Sequence, residues 1–349
     1  VEVAGVISYL RDVYNGVRKY PYPVPLTIGT SAIARVVALG PDATSLKPGD
    51  LCLLDITIRG RDDIDRSASA TFLSAIHEGF SEGSKKLMHG EWRDGCYAEY
   101  VKWPLENCFV LNEKKLLGPK EEGGLGYAVE DLMFMSRLMV PYGGLGPSCI
   151  DLKPGETVLL SPATGGFGRG AVQLCLEMGA GKVICMGRNQ KMLQDLKQAA
   201  GPDKGGRVVC LPLTGDFDTD LKAIQSVGEP VDVYFDISPP AAKDSGHLKA
   251  GIFAMRNGGR ACLMGGIQGD VALPHSRIMH SDLTIKGKWM YEKTDVKRMV
   301  QMVESGVVKL NTPFPLGWKV ARKYKLEEWE KAFDEAANAD REVDVLIEP

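Results

Sequence analysis

Apolar and polar residues follow two different rhythms along this chain, and the change of rhythm divides it. Up to about residue 136 the apolar residues come in short β-like runs, VEVAGVIS, AIARVVALG, DLCLLDITIR, YAEYVKWP and CFVL, separated by turn clusters such as GPDATSLKPGD. This pattern predicts a mostly β domain. Val1 already lies inside a strand-like stretch, so a preceding N-terminal hairpin is expected outside the 349 residues. From about 150 to 289 the repeating unit becomes strand, turn, helix. ETVLLSPAT leads into RGAVQLCLEMGA, KVICMGRN into QKMLQDLKQAA, RVVCLPLT into DFDTDLKAIQSV, and VDVYFDIS into AAKDSGHLKAGIFAMRNG. RACLMGG and LTIKGKW bring the strands to six. Strands that are apolar throughout, joined by amphipathic helices, imply a parallel sheet covered on both faces, a doubly wound α/β fold. The tail holds a helix, DVKRMVQMVESG, a strand-like FPLGWKV, an acidic amphipathic helix, KLEEWEKAFDEAANA, and a last strand, EVDVLIEP. These are expected to return to the first domain, which gives 1–136 with 290–349 as one domain and 137–289 as the other. No internal repeat interrupts this plan.

Composition narrows the partners. With 44% apolar and 25% charged residues the chain has the balance of a soluble globular protein. A formal charge of -3 with mixed signs gives no basic stripe, which argues against nucleic acid and membrane surfaces and leaves a small molecule as the expected partner. No apolar run reaches the roughly 18 residues of a bilayer span, and no basic-then-apolar leader opens the chain, so a cytoplasmic location is expected. Eight cysteines are scattered without a C-x-x-C pair, several inside apolar strand-like runs. They read as buried free thiols rather than disulfides or ligands.

One turn carries candidate chemistry. After the first strand of the parallel unit comes Ala163-Thr164-Gly165-Gly166-Phe167-Gly168, directly before a helix. This is A-x-G-x-x-G, with alanine in the first glycine position of a dinucleotide fingerprint. Gly165 would let backbone approach a pyrophosphate, Gly168 would let helix and strand pack closely, and the helix N-terminus offers free N–H groups. The next strand ends at Gly187, nineteen residues beyond Gly168, where the fingerprint normally sets an acid on the ribose 2′-hydroxyl of NAD. Here Gly187, Arg188, Asn189 and Lys191 stand instead. An acid would repel a 2′-phosphate; a glycine leaves room for one, and Arg188 with Lys191 supplies cations to meet it. NADPH is therefore the expected cofactor. The plainer alternative is a strand-ending glycine followed by solvated cations on a helix.

With these residues in place the chain resembles the medium-chain dehydrogenase/reductase superfamily. The resemblance runs through GV near the start, PLTIGTSAIARVVALG, LKPGD, DGCYAEYVKWPLENCFVL, LKPGETVLLSPATGGFGRGAVQL and LEEWEKAFDEA. AIARV, EGSKKLMHGEWRDG and DISPPAA look most like a zinc-free, fungal alcohol-dehydrogenase-like branch, related to quinone reductases. It implies a Rossmann domain beside a GroES-like catalytic domain, and hydride transfer involving an apolar substrate in a cleft between them. In the zinc enzymes of that superfamily a Cys follows the early GV, GHE precedes the AxGxV strand, and a further Cys lies just before the cofactor domain. This chain has Ile7, then Gly29-Thr30-Ser31, then Ser136, and lacks the four-cysteine structural zinc lobe. With only five histidines in all, and His77 and His89 without ligand partners near them, no metal site is expected. Polarising a carbonyl would then fall to hydroxyl and N–H donors. By position these are Ser8, Tyr9, Ser31 and Tyr142, with Tyr9 preferred; each could equally be a satisfied polar group packed between domains.

The resemblance also sets Ser238, Gly265, Gly266 and Trp289 beside the nicotinamide, while Pro239-Pro240 fixes a turn. The stretch SATFLSAIHEGFSEGSKKLMHGEW, with Phe72, Leu73, Ile76 and Phe80 on a short helix, is expected either to cover the substrate as an apolar lid or to pack as a flap on its own domain. LTIKGKW is an edge strand that could join a second copy as a homodimer. The function expected is zinc-independent, NADPH-dependent reduction of a carbonyl or a conjugated C=C; the rival is a nucleotide-binding protein with a non-redox scaffold or rearrangement role.

Overall fold

The computed structural model describes residues 1–62, 70–310, 320–338 and 343–349, which form two units, 1–136 with 318–349 and 137–317. Residues 290–310 thus group with the second unit rather than with the β-rich one. Two side-chain ties explain this: Ser148 Oγ donates to Asp295 Oδ2 at 2.6 Å, and Gln173 Nε2 donates to the Lys309 carbonyl at 2.7 Å. Both fasten the segment to the helices and loops of the parallel sheet.

The β-rich unit is built on strands β1 (Val3–Val6), β2 (Ala32–Arg35), β3 (Leu51–Leu54), β6 (Cys108–Val110), β13 (Val320–Lys325) and β14 (Val343–Glu348), in the order β13-β14-β1-β2-β3-β6. All neighbours pair antiparallel except β13 with β14. A separate hairpin joins β4 (Thr57–Arg59) to β5 (Thr71–Leu73). DLCLLDITIR is thus two strands rather than one, broken where Asp55 Oδ1 accepts from the Thr57 N–H at 2.9 Å and the Asp55 carbonyl accepts from Trp103 and Asn107. YAEYVKWP is not a strand: Tyr97 makes one sheet-like bond to the Ile28 carbonyl, after which Glu99 and Tyr100 turn to solvent. FPLGWKV lies outside the described residues up to its last position, and the strand begins at Val320.

The stretch expected to be a lid behaves differently from that expectation. Phe72 pairs with Ile58 in the β4–β5 hairpin and is 0% exposed; Leu73 and Ile76 are buried as well. Only Phe80 is open, at 80%. The helix of this region comes later, Glu82–His89, with Ser81 Oγ accepting from the Ser84 N–H as its cap and Met88 packing on Ile58 and Phe72. A flap on its own unit is what these contacts describe, because cross-strand pairing captures the apolar residues first.

The second unit is a six-stranded parallel sheet of β7 (Thr157–Ser161), β8 (Lys182–Gly187), β9 (Val208–Pro212), β10 (Val231–Asp236), β11 (Met255–Leu263) and β12 (Thr284–Gly287), ordered β12-β11-β10-β7-β8-β9. Every residue of β7 is buried, as a central strand covered on both faces requires. Helices Gly166–Glu177, Gln190–Ala199, Phe217–Gln225 and His247–Ala254 make the crossovers. The sequence supplies their starts: Asn189 Oδ1 accepts from the Met192 N–H and Asp216 Oδ1 from the Thr219 N–H. The last crossover helix is shorter than AAKDSGHLKAGIFAMRNG suggests. β11 begins at Met255, and its register against β10 slips between Met255 and Arg260, where Gly258 adopts φ +70°. All eight cysteines are free thiols, five of them buried.

At the end of the first crossover helix the Glu177 carboxyl accepts from Gln173 Nε2 and from the Lys309 N–H, with Lys204 Nζ at 4.0 Å. Burial dominates and pushes its pKa up to about 7 against the partial compensation of Lys204. The folded protein therefore holds this proton more tightly than the unfolded chain, so its contribution to stability is complete below about 4.5 and is lost as pH rises through about 7. Glu177→Gln should melt at the same temperature as the parent at pH 5 and several degrees higher at pH 8. Parallel thermal scans at the two pH values check this; an equal gain at both would remove the buried carboxylate as its cause.

Candidate active site

In an open parallel sheet, ligands bind outside the carboxyl ends of the strands where the strand order reverses, and here that point lies between β7 and β10. The glycine turn follows β7 directly. Ala163 is fully buried and donates its N–H to the Met186 carbonyl at 2.8 Å, which lashes the turn to the end of β8. Gly165 precedes the helix Gly166–Glu177 in extended conformation, and a Cβ on it would meet nothing within 4 Å. The N–H groups of Gly166, Phe167 and Gly168 open the helix and have no carbonyl one turn back. Gly168 is constrained quite differently: a Cβ there would stand 2.3 Å from the Pro162 carbonyl oxygen, so only glycine lets the helix lie this close to the strand. Between turn and sheet, the Ser161 Oγ at the end of β7 is buried with no hydrogen-bond partner.

At the end of β8, Gly187 is buried, and a Cβ on it would lie 2.9 Å from Thr164 Cγ2 and 3.2 Å from Leu193. A side chain there would meet the protein's own side chains, so the glycine serves the seating of the turn on β8. Arg188 is exposed and pairs with no acid among the described residues. Asn189 caps the following helix, Gln190 Nε2 donates to the Gly187 carbonyl, and Lys191 lies 3.2 Å from Asp195 one turn along.

The end of β10 holds a polar cluster that sequence reasoning missed. Ser238 Oγ donates to Asp236 Oδ1 at 2.7 Å and lies 2.7 Å from His247 Nε2, which is itself 3.2 Å from Asp236 Oδ1; His247 Nδ1 is 2.7 Å from Ser245 Oγ. Asp236, Ser238 and His247 are all buried. The cluster fixes the backbone around it. The Ile237 N–H reaches the Ser161 carbonyl on β7, and the Gly266 N–H reaches the Ser238 carbonyl at 2.8 Å. A Cβ at Gly265 would stand 2.7 Å from the Ser238 backbone, so this glycine too answers a close approach. The visible trace was an apolar strand ending in an acid, but its partner, nine residues beyond Ser238, was read as part of a helix. Trp289 follows β12 and is partly exposed.

The four hydroxyl candidates do not form one group. Ser8, Tyr9 and Ser31 belong to the β-rich unit and Tyr142 to the other. Ser8 is exposed. Tyr9 begins a short helix, Leu10–Tyr14, and its ring lies under the Arg18 guanidinium at 4.0 Å. Ser31 is buried, its carbonyl taking the Gly5 N–H at 3.1 Å. The Gly5 carbonyl accepts from Thr30 Oγ1 and from Tyr97 Oη, so Thr30 and Tyr97 join this corner. Gly29, at φ +147°, passes so close to Cys96 that a Cβ would meet its nitrogen at 2.3 Å. Tyr142 is buried beside Gly146; burial first, then the nearby Asp295, raises its pKa.

Two family models match. Residues 1–113 match the alcohol dehydrogenase GroES-like domain, and residues 166–305 match the zinc-binding dehydrogenase model. An L-threonine 3-dehydrogenase of Proteus mirabilis is 25% identical over 322 residues, covering 89% of this chain and 80% of that protein. Among solved structures, an alcohol dehydrogenase of Escherichia coli CFT073 complexed with NADH superposes with a TM-score of 0.74 at 15% identity, over 100% of this chain and 90% of that one. An alcohol dehydrogenase from Thermus sp. ATN1 reaches 0.75 at 19%, over 99% and 90%.

The zinc of the second model's description finds no donor set here. Ile7 has no ligating atom, Thr30 Oγ1 is spent on the Gly5 carbonyl, and Ser136 Oγ donates to the Met133 carbonyl at 2.8 Å. Among the described residues no three His, Cys, Asp or Glu side chains are grouped to hold a metal ion. A phosphate-bearing ligand fits better: Gly165 leaves open space before a helix N-terminus, and at the end of the preceding strand the buried Ser161 hydroxyl has no hydrogen-bond partner.

The two glycines of the turn should respond oppositely to one methyl group. Gly168→Ala should cost about 2 kcal/mol or more by forcing helix from strand, whereas Gly165→Ala should cost less than about 1 kcal/mol as a poorer helix start. Urea unfolding of both variants measures the contrast, and equal losses would refute the packing argument. His247→Leu, which strips Ser238 and Asp236 of a buried partner, should cost about 2–4 kcal/mol in the same experiment.

Proposed function

Because the chain belongs to the medium-chain dehydrogenase/reductase superfamily, we propose that it is an NADPH-dependent oxidoreductase working without catalytic zinc, which reduces a carbonyl or a conjugated C=C of an apolar small molecule. The observation that carries the reading is the end of β8, where an exposed arginine stands in place of the usual acid. A carboxylate there would favour an unmodified ribose. A guanidinium favours a 2′-phosphate, with which it can form paired charge-assisted hydrogen bonds.

When bound, the cofactor supplies hydride, and the protein's share is to hold and to exclude. The N–H groups of the 165–168 turn take the pyrophosphate, with Arg188 and, one turn further, Lys191 on the 2′-phosphate. Ser238, Gly265 and Gly266 line the nicotinamide side, stiffened from beneath by Asp236 and His247. Ser238 Oγ is committed to those two residues, so it orients backbone and does not move a proton. Tyr9 is the proposed proton donor. Its ring is fixed by Arg18, whereas Ser8 is on the surface and Ser31 is buried.

The names of the relatives favour a second reading, oxidation of a hydroxyl-bearing substrate. The same positions would serve it in reverse, and assay in both directions separates the two. The first test is calorimetric. NADPH should bind at least about tenfold more tightly than NADH, and Arg188→Glu should erase or invert that ratio, a change of roughly 1.4 kcal/mol or more. Tighter binding of NADH by the unaltered protein would overturn the cofactor assignment. Binding of NADPH with no oxidation across ketones and enones would leave only a non-redox role.

A further inference from the structure

Two thiols outside the site just described are held against one another. Cys149 lies in the connection between helix Phe134–Leu145 and β7; Cys262 lies inside β11. They are 113 positions apart, yet their Sγ atoms are separated by 3.4 Å. Among the described residues this is the one pair of cysteines whose sulfurs are in hydrogen-bond reach. Cys52, Cys108, Cys185 and Cys210 turn their sulfurs to backbone carbonyls of Asp50, Pro104, Val183 and Leu193.

Cations clamp the connection to the sheet on both sides of the pair. Arg260, two residues before Cys262, donates Nε to the Ile150 carbonyl at 2.8 Å and pairs with Glu156 at 2.7 Å. Lys286, the register partner of Cys262 on β12, donates Nζ to the Ser148 carbonyl at 3.1 Å and the Cys149 carbonyl at 3.4 Å. Both backbones are thereby held with the sulfurs facing one another. Closing to a bond of about 2.05 Å asks the sulfurs to move together by about 1.4 Å.

The two thiols are also unequal. Cys262 is completely buried, whereas Cys149 is partly open to solvent. The hydrogen bond shared with Cys262, with Lys286 and Lys288 nearby, lowers the pKa of Cys149 against the opposing effect of its partial burial. The same hydrogen bond and burial push Cys262 upward. Cys149 is thus the more acidic and the more accessible thiol, the one an oxidant meets, and Cys262 is the resolving thiol already in contact with it.

We infer that Cys149 and Cys262 form a reversible disulfide, a thiol oxidation site that fastens the connection before β7 to β11. With a small-molecule disulfide as oxidant, the Cys149 thiolate attacks one sulfur of oxidised glutathione, forming a mixed disulfide and expelling one glutathione thiolate. Cys262, giving up its proton, attacks the Cys149 sulfur and expels the second. Two protein thiols are oxidised, one glutathione disulfide is reduced to two thiols, and the two protein protons pass to solvent or to the departing thiolates.

The test is made on the whole chain without added nucleotide, so that it stands apart from the cofactor reading. After incubation with oxidised glutathione and removal of the reagent, thiols are counted in denaturant and proteolytic fragments are weighed. The unaltered protein should lose two of its eight thiols, yield one linked fragment pair containing residues 149 and 262, and recover both thiols in dithiothreitol. Cys149→Ser, which leaves the buried sulfur and its packing in place, should lose thiols at least tenfold more slowly and give no linked pair. The inference is overturned if all eight thiols persist, if Cys149 stops as a stable glutathione adduct, or if the linked fragments carry other cysteines.

Discussion

The arrangement at the head of the parallel sheet rests on one close approach, the packing of helix Gly166–Glu177 on the strand that feeds it. That helix can start over the end of β7 only because residue 168 has no side chain to meet the Pro162 carbonyl. Once it is seated, its free N–H groups face the region beyond the strand ends, and Thr164 is carried against Gly187 of the neighbouring strand. The Ala163 N–H then bonds to β8, and the Ser161 carbonyl to the loop after β10. Three strand ends are therefore indexed to one turn. A ligand set on that turn would be positioned relative to β8 on one side and to the Asp236–Ser238–His247 cluster on the other.

Much of this was legible in the sequence because the parallel unit is written in redundant signals. The runs of the inner strands leave little freedom: β7 is buried throughout and β8 at all but Lys182, and strands buried on both faces cannot be amphipathic. Asn189 and Asp216 announce their helices in the same local way. What failed to show was whatever depends on distant partners. Phe72, Ile76 and Phe80 recur at helical spacing, yet Phe72 is taken by Ile58 across a hairpin. The 290–310 segment follows the last strand and looks like a return to the first domain, but Ser148 and Gln173 hold it where it is. His247 illustrates the same limit at the site itself. Within its own helix it is one polar residue near the start, and only the fold brings it to Ser238 and Asp236.

The β-rich unit shows how a corner of the fold can persist with different chemistry. Thr30 Oγ1 and Tyr97 Oη converge on the Gly5 carbonyl and Ser136 Oγ donates to the Met133 carbonyl, so two of the positions that the superfamily resemblance associates with zinc, Thr30 and Ser136, hold groups satisfying backbone. Thr30 cannot ligate a metal through Oγ1 while also donating to Gly5, and Ile7 cannot ligate at all. In the proposed zinc-independent reaction, a developing oxyanion would be stabilised by hydrogen-bond donors. Of the phenols and hydroxyls in the unit, Tyr97 Oη and Thr30 Oγ1 are committed to the Gly5 carbonyl.

At the end of β8 a single side chain, Arg188, bears on the choice between the two nucleotides. Read from sequence, Gly187 and Arg188 look like two witnesses, one giving room and the other charge. In the fold Gly187 is accounted for by Thr164 and Leu193, which fill the volume a side chain would need, so the glycine would be required whichever nucleotide bound. Asn189 is likewise accounted for as a helix cap, and Lys191 has Asp195 beside it. Only Arg188 is left with no role in the packing: it is exposed, and none of the described residues pairs with it. An ordered guanidinium–phosphate contact gains more than a solvated cation does, while an acid at this point would be repelled by the same phosphate. The proposed preference for a 2′-phosphate therefore rests on one charge at the strand end, that of Arg188.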